Sequence, residues 1–110
     1  GEIALKTTAG VFCTAAPAGP AFEGAEIRQG MRAVDGAIER VSISNSKLHL
    51  GVIGDVHPTG ICGSGLVDAV AELLRLGIVN SAGRLLPPDE LPANIPLNLR
   101  ERVFQDDEGG

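Results

Sequence analysis

A glycine-rich turn that runs directly into an apolar helix is the part of the sequence best suited to bind a ligand. The turn contains Gly60, Gly63 and Gly65, and the predicted helix extends over residues 64–76. The first amide N–H groups of a helix have no partner within it and lie at the positive end of its dipole, so they suit a phosphate. The backbone of Gly63, Ser64 and Gly65 is therefore a candidate phosphate site.

The same glycines have a structural explanation, because close packing of a helix on a strand also needs residues without side chains. The sequence contains no Walker-type phosphate loop, and Asp68 stands where the dinucleotide-binding fingerprint needs its third glycine. Cys62 and Leu66 occupy the glycine positions of a nucleophile elbow around Ser64. Both interpretations of the turn stay open.

Three further polar side chains each have a chemical and a simpler interpretation. The Glu23 carboxylate could orient a water molecule or a magnesium ion, and it also suits the first turn of a helix. His57 could act as a general base, although no nucleophile accompanies it. His49 lies between two leucines, on the polar face of a predicted strand. The sequence assigns no catalytic residue.

The cysteines and the charge balance bear on the kind of site and partner. Cys13 and Cys62 are far apart and form no C-x-x-C motif, so we expect buried thiols and no metal site. The net charge of −5 and the aromatic content of 3% disfavour nucleic acid as a partner. No apolar run is long enough to span a membrane, so we expect no membrane contact and a cytoplasmic location.

The apolar pattern predicts two β-hairpins. Residues 2–8 alternate between apolar and polar and should form a half-buried strand that pairs with residues 11–15. Residues 37–44 and 47–53 alternate on either side of Asn45–Ser46, which fits a hairpin because Asn tolerates a positive φ.

The hairpins are expected to pack on the central helix of residues 64–76. Ser64 is its predicted N-cap, and Gly77 suits the left-handed residue that follows a helix. Its charged residues should form one narrow solvent-facing stripe on an otherwise buried cylinder: Asp68, Glu72 and Arg75.

The remaining segments are richer in proline and glycine. A short helix is predicted to begin at Pro20 and to continue to Met31. Residues 87–110 are expected to form a proline-rich coil, with the start of a strand at Arg100–Phe104.

Three signatures occur in order along the chain. AGPAFEGA at residues 18–25 is followed by GMRA at 30–33 and GAI at 36–38, and GICGSGLVDAVAELL spans residues 60–74. The chain opens with GEIAL. Together these segments resemble the C-terminal ATPase domain of the reductive activators of corrinoid proteins, in which GEIAL is similar to the end of an Asp-Ile-Gly-Thr-Asn-Gly-Glu loop. The resemblance covers residues 1–86 best.

The resemblance implies a ribonuclease H-like fold, shared with actin, sugar kinases and heat-shock proteins. We therefore expect an α+β fragment of an actin-like ATPase lobe. Proteins of this family couple ATP hydrolysis to the reduction of a cobalt(II) corrinoid protein to cobalt(I). The implied cofactors are ATP and magnesium, with electrons from a [2Fe–2S] ferredoxin domain of the parent protein outside this chain. The implied partner is a corrinoid protein, and a homodimer is left open.

By the same resemblance, Gly1 and Glu2 border the phosphate-binding hairpin, and residues 63–65 lie near the same cleft. No residue is assigned to activate the attacking water, because carboxylates outside the segment are as eligible as Glu2 or Glu23. The cleft needs both lobes, so we expect the segment alone to be inactive. Residues 1–110 are expected to be a single partial domain, truncated at both ends.

A second hypothesis comes from a different class of function. The chain would be a small, non-catalytic α+β interaction module that binds no nucleotide, and its glycines would serve packing alone. The surroundings of the turn before Leu66 discriminate between the hypotheses, since a phosphate can reach only a turn that is not sealed under other side chains.

Overall fold

The computed structural model describes residues 2–17, 19–20 and 27–105, and these form a mixed α+β structure. The elements are β1 Glu2–Thr7, β2 Gly10–Ala15, β3 Ala37–Ser44, β4 Lys47–Val52, β5 Gly60–Ile61, α1 Gly63–Leu76 and α2 Leu97–Arg100. The strands form a two-stranded sheet, β1-β2, and a three-stranded sheet with the order β4-β3-β5. None of the described helices is long and apolar enough to cross a membrane.

The β3–β4 hairpin forms around the predicted turn. Asn45 and Ser46 have φ values of 50° and 63°, as a type I′ turn requires of both central residues. The strands are antiparallel, and β4 ends at Val52 because Ile53 begins a 3₁₀ turn.

A β-bulge keeps one face of this hairpin apolar. The pairing passes from Ile38 and Val52 directly to Arg40 and Gly51, so Glu39 is an extra residue in β3. The bulge shifts the alternation of side chains by one position. The apolar face therefore contains Ile38, Val41 and Ile43, opposite Val52, Leu50 and Leu48.

The hydrophobic core lies between this apolar face and the chain that follows α1. Its buried members come from that later segment: Ile78, Leu91, Ile95 and Leu99. Half-buried side chains of the hairpin and the helix pack against them, including Ile43, Leu48 and Leu73. The prediction of a strand start at Arg100–Phe104 is wrong, because α2 ends at Arg100 and a turn follows.

The first hairpin forms as predicted, but it is not half-buried. β1 and β2 pair antiparallel along their whole length, and every residue of both strands is exposed. Ile3, Leu5 and Phe12 share one face and are 56%, 59% and 56% exposed. The alternation was a correct signal for a strand, but none of the described elements covers either face of this ribbon.

The short helix predicted from Pro20 falls largely outside the described residues, which exclude residues 21–26 and therefore Glu23. Its predicted continuation to Met31 is wrong. The chain there forms a turn, and Gly30 makes an isolated parallel bridge to β5.

Candidate functional site

The predicted central helix is present as α1, but its first residue and its cap differ from the prediction. The N-cap is Cys62, whose backbone is extended, and no side chain caps the helix. Ser64 is therefore not the N-cap: its Oγ donates to the carbonyl oxygen of Glu39 at 3.0 Å. The predicted end is confirmed, since Gly77 adopts the left-handed conformation with φ 80°.

Gly65 is the point of closest approach between α1 and β3. It is buried, and a Cβ placed on it would overlap the carbonyl oxygen of Ile38. The same Cβ would lie 2.9 Å from Cγ1 of Ile61. Any side chain at this position would push the helix away from the strand, so close packing accounts for this glycine.

The amide groups of the first turn of α1 form the candidate phosphate site. The N–H of Leu66 donates to Cys62 at 2.9 Å, so the amides of Gly63, Ser64 and Gly65 precede the first intrahelical bond and have no acceptor inside the helix. Ser64 is exposed and Gly63 is half-buried. The first turn contains no acidic side chain that would repel an anion.

The outer side of α1 is apolar, contrary to the prediction. Val67, Val70 and Leu74 are 49%, 46% and 51% exposed, whereas Asp68 is half-buried. The predicted solvent-facing stripe is wrong for Asp68 and Glu72, which are half-buried. Arg75 is exposed as predicted, although its guanidinium also donates to Ile43 O in β3. The spacing of charged residues shows that they share one face of the helix, but it does not show whether that face contacts water or the backbone of a strand.

Side chains of α1 take the place of a missing strand along β3. β5 pairs only with the first two residues of β3, so the backbone farther along this edge has no strand partner among the described residues. Hydrogen bonds from α1 fill it: Ser64 Oγ donates to Glu39 O at 3.0 Å, Val41 N–H donates to Asp68 Oδ2 at 3.2 Å, and Arg75 Nη2 donates to Ile43 O at 2.8 Å. From Ser64 to Asp68 the helix rises about 6 Å while two strand residues rise about 6.6 Å, so these two bonds are in step. From Asp68 to Arg75 the helix rises about 10.5 Å against about 6.6 Å of strand, and the long Arg75 side chain spans the difference.

The other predicted site residues are not brought to this turn. Gly1 and Glu23 lie outside the described residues, and Glu2 is an exposed residue at the start of β1. Among the described residues, no hydrogen bond or ion pair joins Glu2 to residues 63–65.

The histidines and cysteines lie apart from one another. His49 pairs with Ser42 on the polar face of the β3–β4 hairpin, and both His49 and His57 are exposed. The prediction of a buried thiol is correct for Cys62 and wrong for Cys13, which lies on the exposed hairpin. Within the described ranges, no group of three or more His, Cys, Asp or Glu residues could hold a metal ion.

Sequence reasoning did not anticipate an open groove over the core. It has a volume of about 370 Å³ and lies between the sheet, α1 and the chain around α2. Its lining is apolar apart from Arg102, and it includes Val41, Leu50 and Leu73. Since polar groups do not converge there, the groove is not the candidate phosphate site.

Known proteins similar to this chain identify its family. The family model for the C-terminal domain of RACo, the ASKHA domain, matches residues 1–100. The chain belongs to this family. It is 40% identical over 108 residues to the corrinoid activation enzyme RamQ of Eubacterium limosum. It also resembles the solved structure of a reductive activator for corrinoid, iron-sulfur protein, with 39% identity and a TM-score of 0.65.

Each of these alignments uses nearly the whole of this chain and a small part of the relative. The alignment with RamQ covers 98% of this chain and 18% of that enzyme. The alignment with the reductive activator covers 98% of this chain and 16% of that structure. The resemblance and the α+β, ASKHA-type fold are confirmed, for a chain that spans less than a fifth of either relative.

Proposed function

We propose that this chain is part of an ATP-dependent activator that reduces the cobalt(II) state of a corrinoid protein to cobalt(I). The family match over residues 1–100 carries the proposal, and the relatives named for corrinoid activation support it. ATP and magnesium bind between the lobes of the parent domain, and closure of the lobes is the hinge-type motion that drives the reduction. A [2Fe–2S] ferredoxin domain of the parent supplies the electrons.

Within this activator, the first turn of α1 contacts the phosphates of the nucleotide, together with Gly1 and with Glu2 at the start of β1. Support for the turn comes from three consecutive amides without an intrahelical acceptor. Gly65 has a second role, since its lack of a side chain lets the turn lie against β3. The packing and phosphate interpretations of the glycines are thus compatible.

A chimera of RamQ tests the proposal in a protein of full length. The segment of RamQ that aligns with this chain is replaced by this chain, and the reduction of a cobalt(II) corrinoid protein is followed by absorbance. We expect reduction that requires ATP and magnesium. A chimera that has the same unfolding temperature as RamQ is folded. If such a chimera performed no reduction, the result would instead support the second hypothesis, a non-catalytic interaction module that binds no nucleotide.

A further inference from the structure

The helix α1 is apolar on two different sides. On its inner side, Leu73 and Leu76 pack against the buried core. On its outer side, Val67, Val70 and Leu74 are each about half exposed. The polar residues of the helix lie on a third side, where hydrogen bonds join them to β3. This composition is typical of a helix inside a protein core, because a surface helix has a polar face toward water.

The outer side has the form of a helix-packing surface. Val67, Val70 and Leu74 are separated by three and four residues, which is the spacing of a seam between two helices. An open groove of about 370 Å³ lies over this part of the helix, and all the residues that line it are apolar: Leu66, Val67, Val70 and Ala71. A groove of this kind accepts a ridge of side chains from another helix.

The composition of this outer face, defined as Val67, Val70, Ala71 and Leu74, indicates a permanent contact. None of its four side chains is polar. Obligate contacts resemble a divided protein core, whereas contacts between proteins that separate again have a larger share of polar groups. A substrate protein, which binds and leaves in each cycle, therefore fits this face less well than a segment that never leaves.

The parent protein of the proposed function contains such segments. The alignments cover 18% of RamQ and 16% of the reductive activator, so more than four-fifths of each relative lies outside the part that aligns with this chain. A segment of the same polypeptide is held near the outer face without the entropic cost of bringing two molecules together.

We propose that the outer face of α1 packs against an apolar helix of the parent protein that lies outside this chain. The inference rests on the proposed function in one respect, namely that this chain is part of a longer activator. α1 is then an internal helix, held by β3 and the core on its inner side and by the parent helix on its outer side. The contact fixes the helix whose first turn is the candidate phosphate site.

Thiol labelling tests whether the outer face is covered in the parent. Val70→Cys is introduced, with Cys13→Ser, into this chain and into the RamQ chimera, and mass spectrometry measures the modification of residue 70 by a maleimide. We expect labelling to be at least roughly tenfold slower in the folded chimera than in this chain alone, because packing protects a helix face. The chimera unfolded in urea is the matched control and should be labelled quickly.

A photoreactive diazirine analogue of leucine at position 74 identifies the segment that makes the contact. After irradiation, mass spectrometry identifies the cross-linked peptides. We expect a link within one polypeptide, to a helix of RamQ outside the segment that this chain replaces. A link to a second copy, to an added corrinoid protein or to the β1–β2 hairpin would overturn the proposal.

Equal labelling rates of residue 70 in the folded chimera and in this chain alone would also overturn it. If the chimera does not fold, the same cysteine and the same leucine analogue at the aligned positions of RamQ itself give both readouts. Neither readout uses corrinoid reduction. A chimera that protects residue 70 but reduces no corrinoid protein would therefore contradict the proposed function alone.

Discussion

At Gly65 the helix and the strand approach more closely than any side chain permits, so we expect a substitution at this position to lower stability. Gly65→Ala would force the new methyl group against Ile38 O and move α1 away from β3. We expect the free energy of unfolding to fall by about 1–3 kcal/mol, the range of overpacked cores. Urea denaturation measures this, with Gly63→Ala as the control in the same turn. Equal stability of the two variants would contradict the packing.

The amide of Gly63 allows the phosphate proposal to be tested apart from packing. Gly63→Pro removes this N–H at the first helical position, where proline is tolerated, and the extended Cys62 suits a following proline. Gly63→Ala retains the N–H. In the RamQ chimera, we expect the proline variant to bind ATP roughly tenfold more weakly than the alanine variant. If the two variants bound ATP with equal affinity in a titration, the Gly63 N–H would not contact the phosphates.

Asp68 accepts a hydrogen bond from strand backbone, which gives a polar residue of α1 a structural role. Asp68→Ala would leave the Val41 N–H without its partner, and we expect a loss of about 1–2 kcal/mol in the free energy of unfolding. Asp68→Asn retains a side-chain oxygen and should lose less. If both variants had the same midpoint of urea unfolding as the unsubstituted chain, the hydrogen bond from Val41 to Asp68 would not stabilise the edge of β3.

At the scale of elements, local signals were enough to predict the hairpins and the helix. Asn45–Ser46 and Gly77 have the backbone conformations that their residue types indicate. Exposure could not be predicted in the same way, because it depends on which element lies opposite. The alternation in β1 is therefore compatible with a fully exposed ribbon. The spacing of three between Ile38 and Val41 was the one local sign of the β-bulge.

The turn between β3 and β4 offers a stabilising change. Ser46 has a φ of 63°, which glycine adopts more readily than serine, and Asn-Gly is the preferred pair in a type I′ turn. We expect Ser46→Gly to raise the free energy of unfolding by about 0.5–1 kcal/mol. The same substitution at Ser42, inside β3, should lower it. Thermal unfolding of the two variants compares them, and a loss of stability with Ser46→Gly would contradict the assigned turn.

At the scale of the whole molecule, the ordered signatures predicted more than the physical patterns did. Periodicity alone indicated an α+β chain and left the glycine turn with two interpretations. The segments at residues 1–5, 18–38 and 60–74 indicated the family, which the match over residues 1–100 shows. Packing of a hairpin on the helix was predicted, but the hydrogen bonds from α1 side chains to the edge of β3 were not, because they join residues that are distant in the sequence. The position of the turn relative to Gly1 and Glu2 stays a prediction.

The ATP dependence of corrinoid reduction by the RamQ chimera tests the central claim most directly. The quantity to measure is the ratio of the cobalt(II) reduction rates with and without ATP, at equal concentrations of reductant and corrinoid protein. We expect a ratio close to that of RamQ itself, and a smaller ratio for the chimera that carries Gly63→Pro. A folded chimera that reduces the corrinoid protein at the same rate with and without ATP would contradict it.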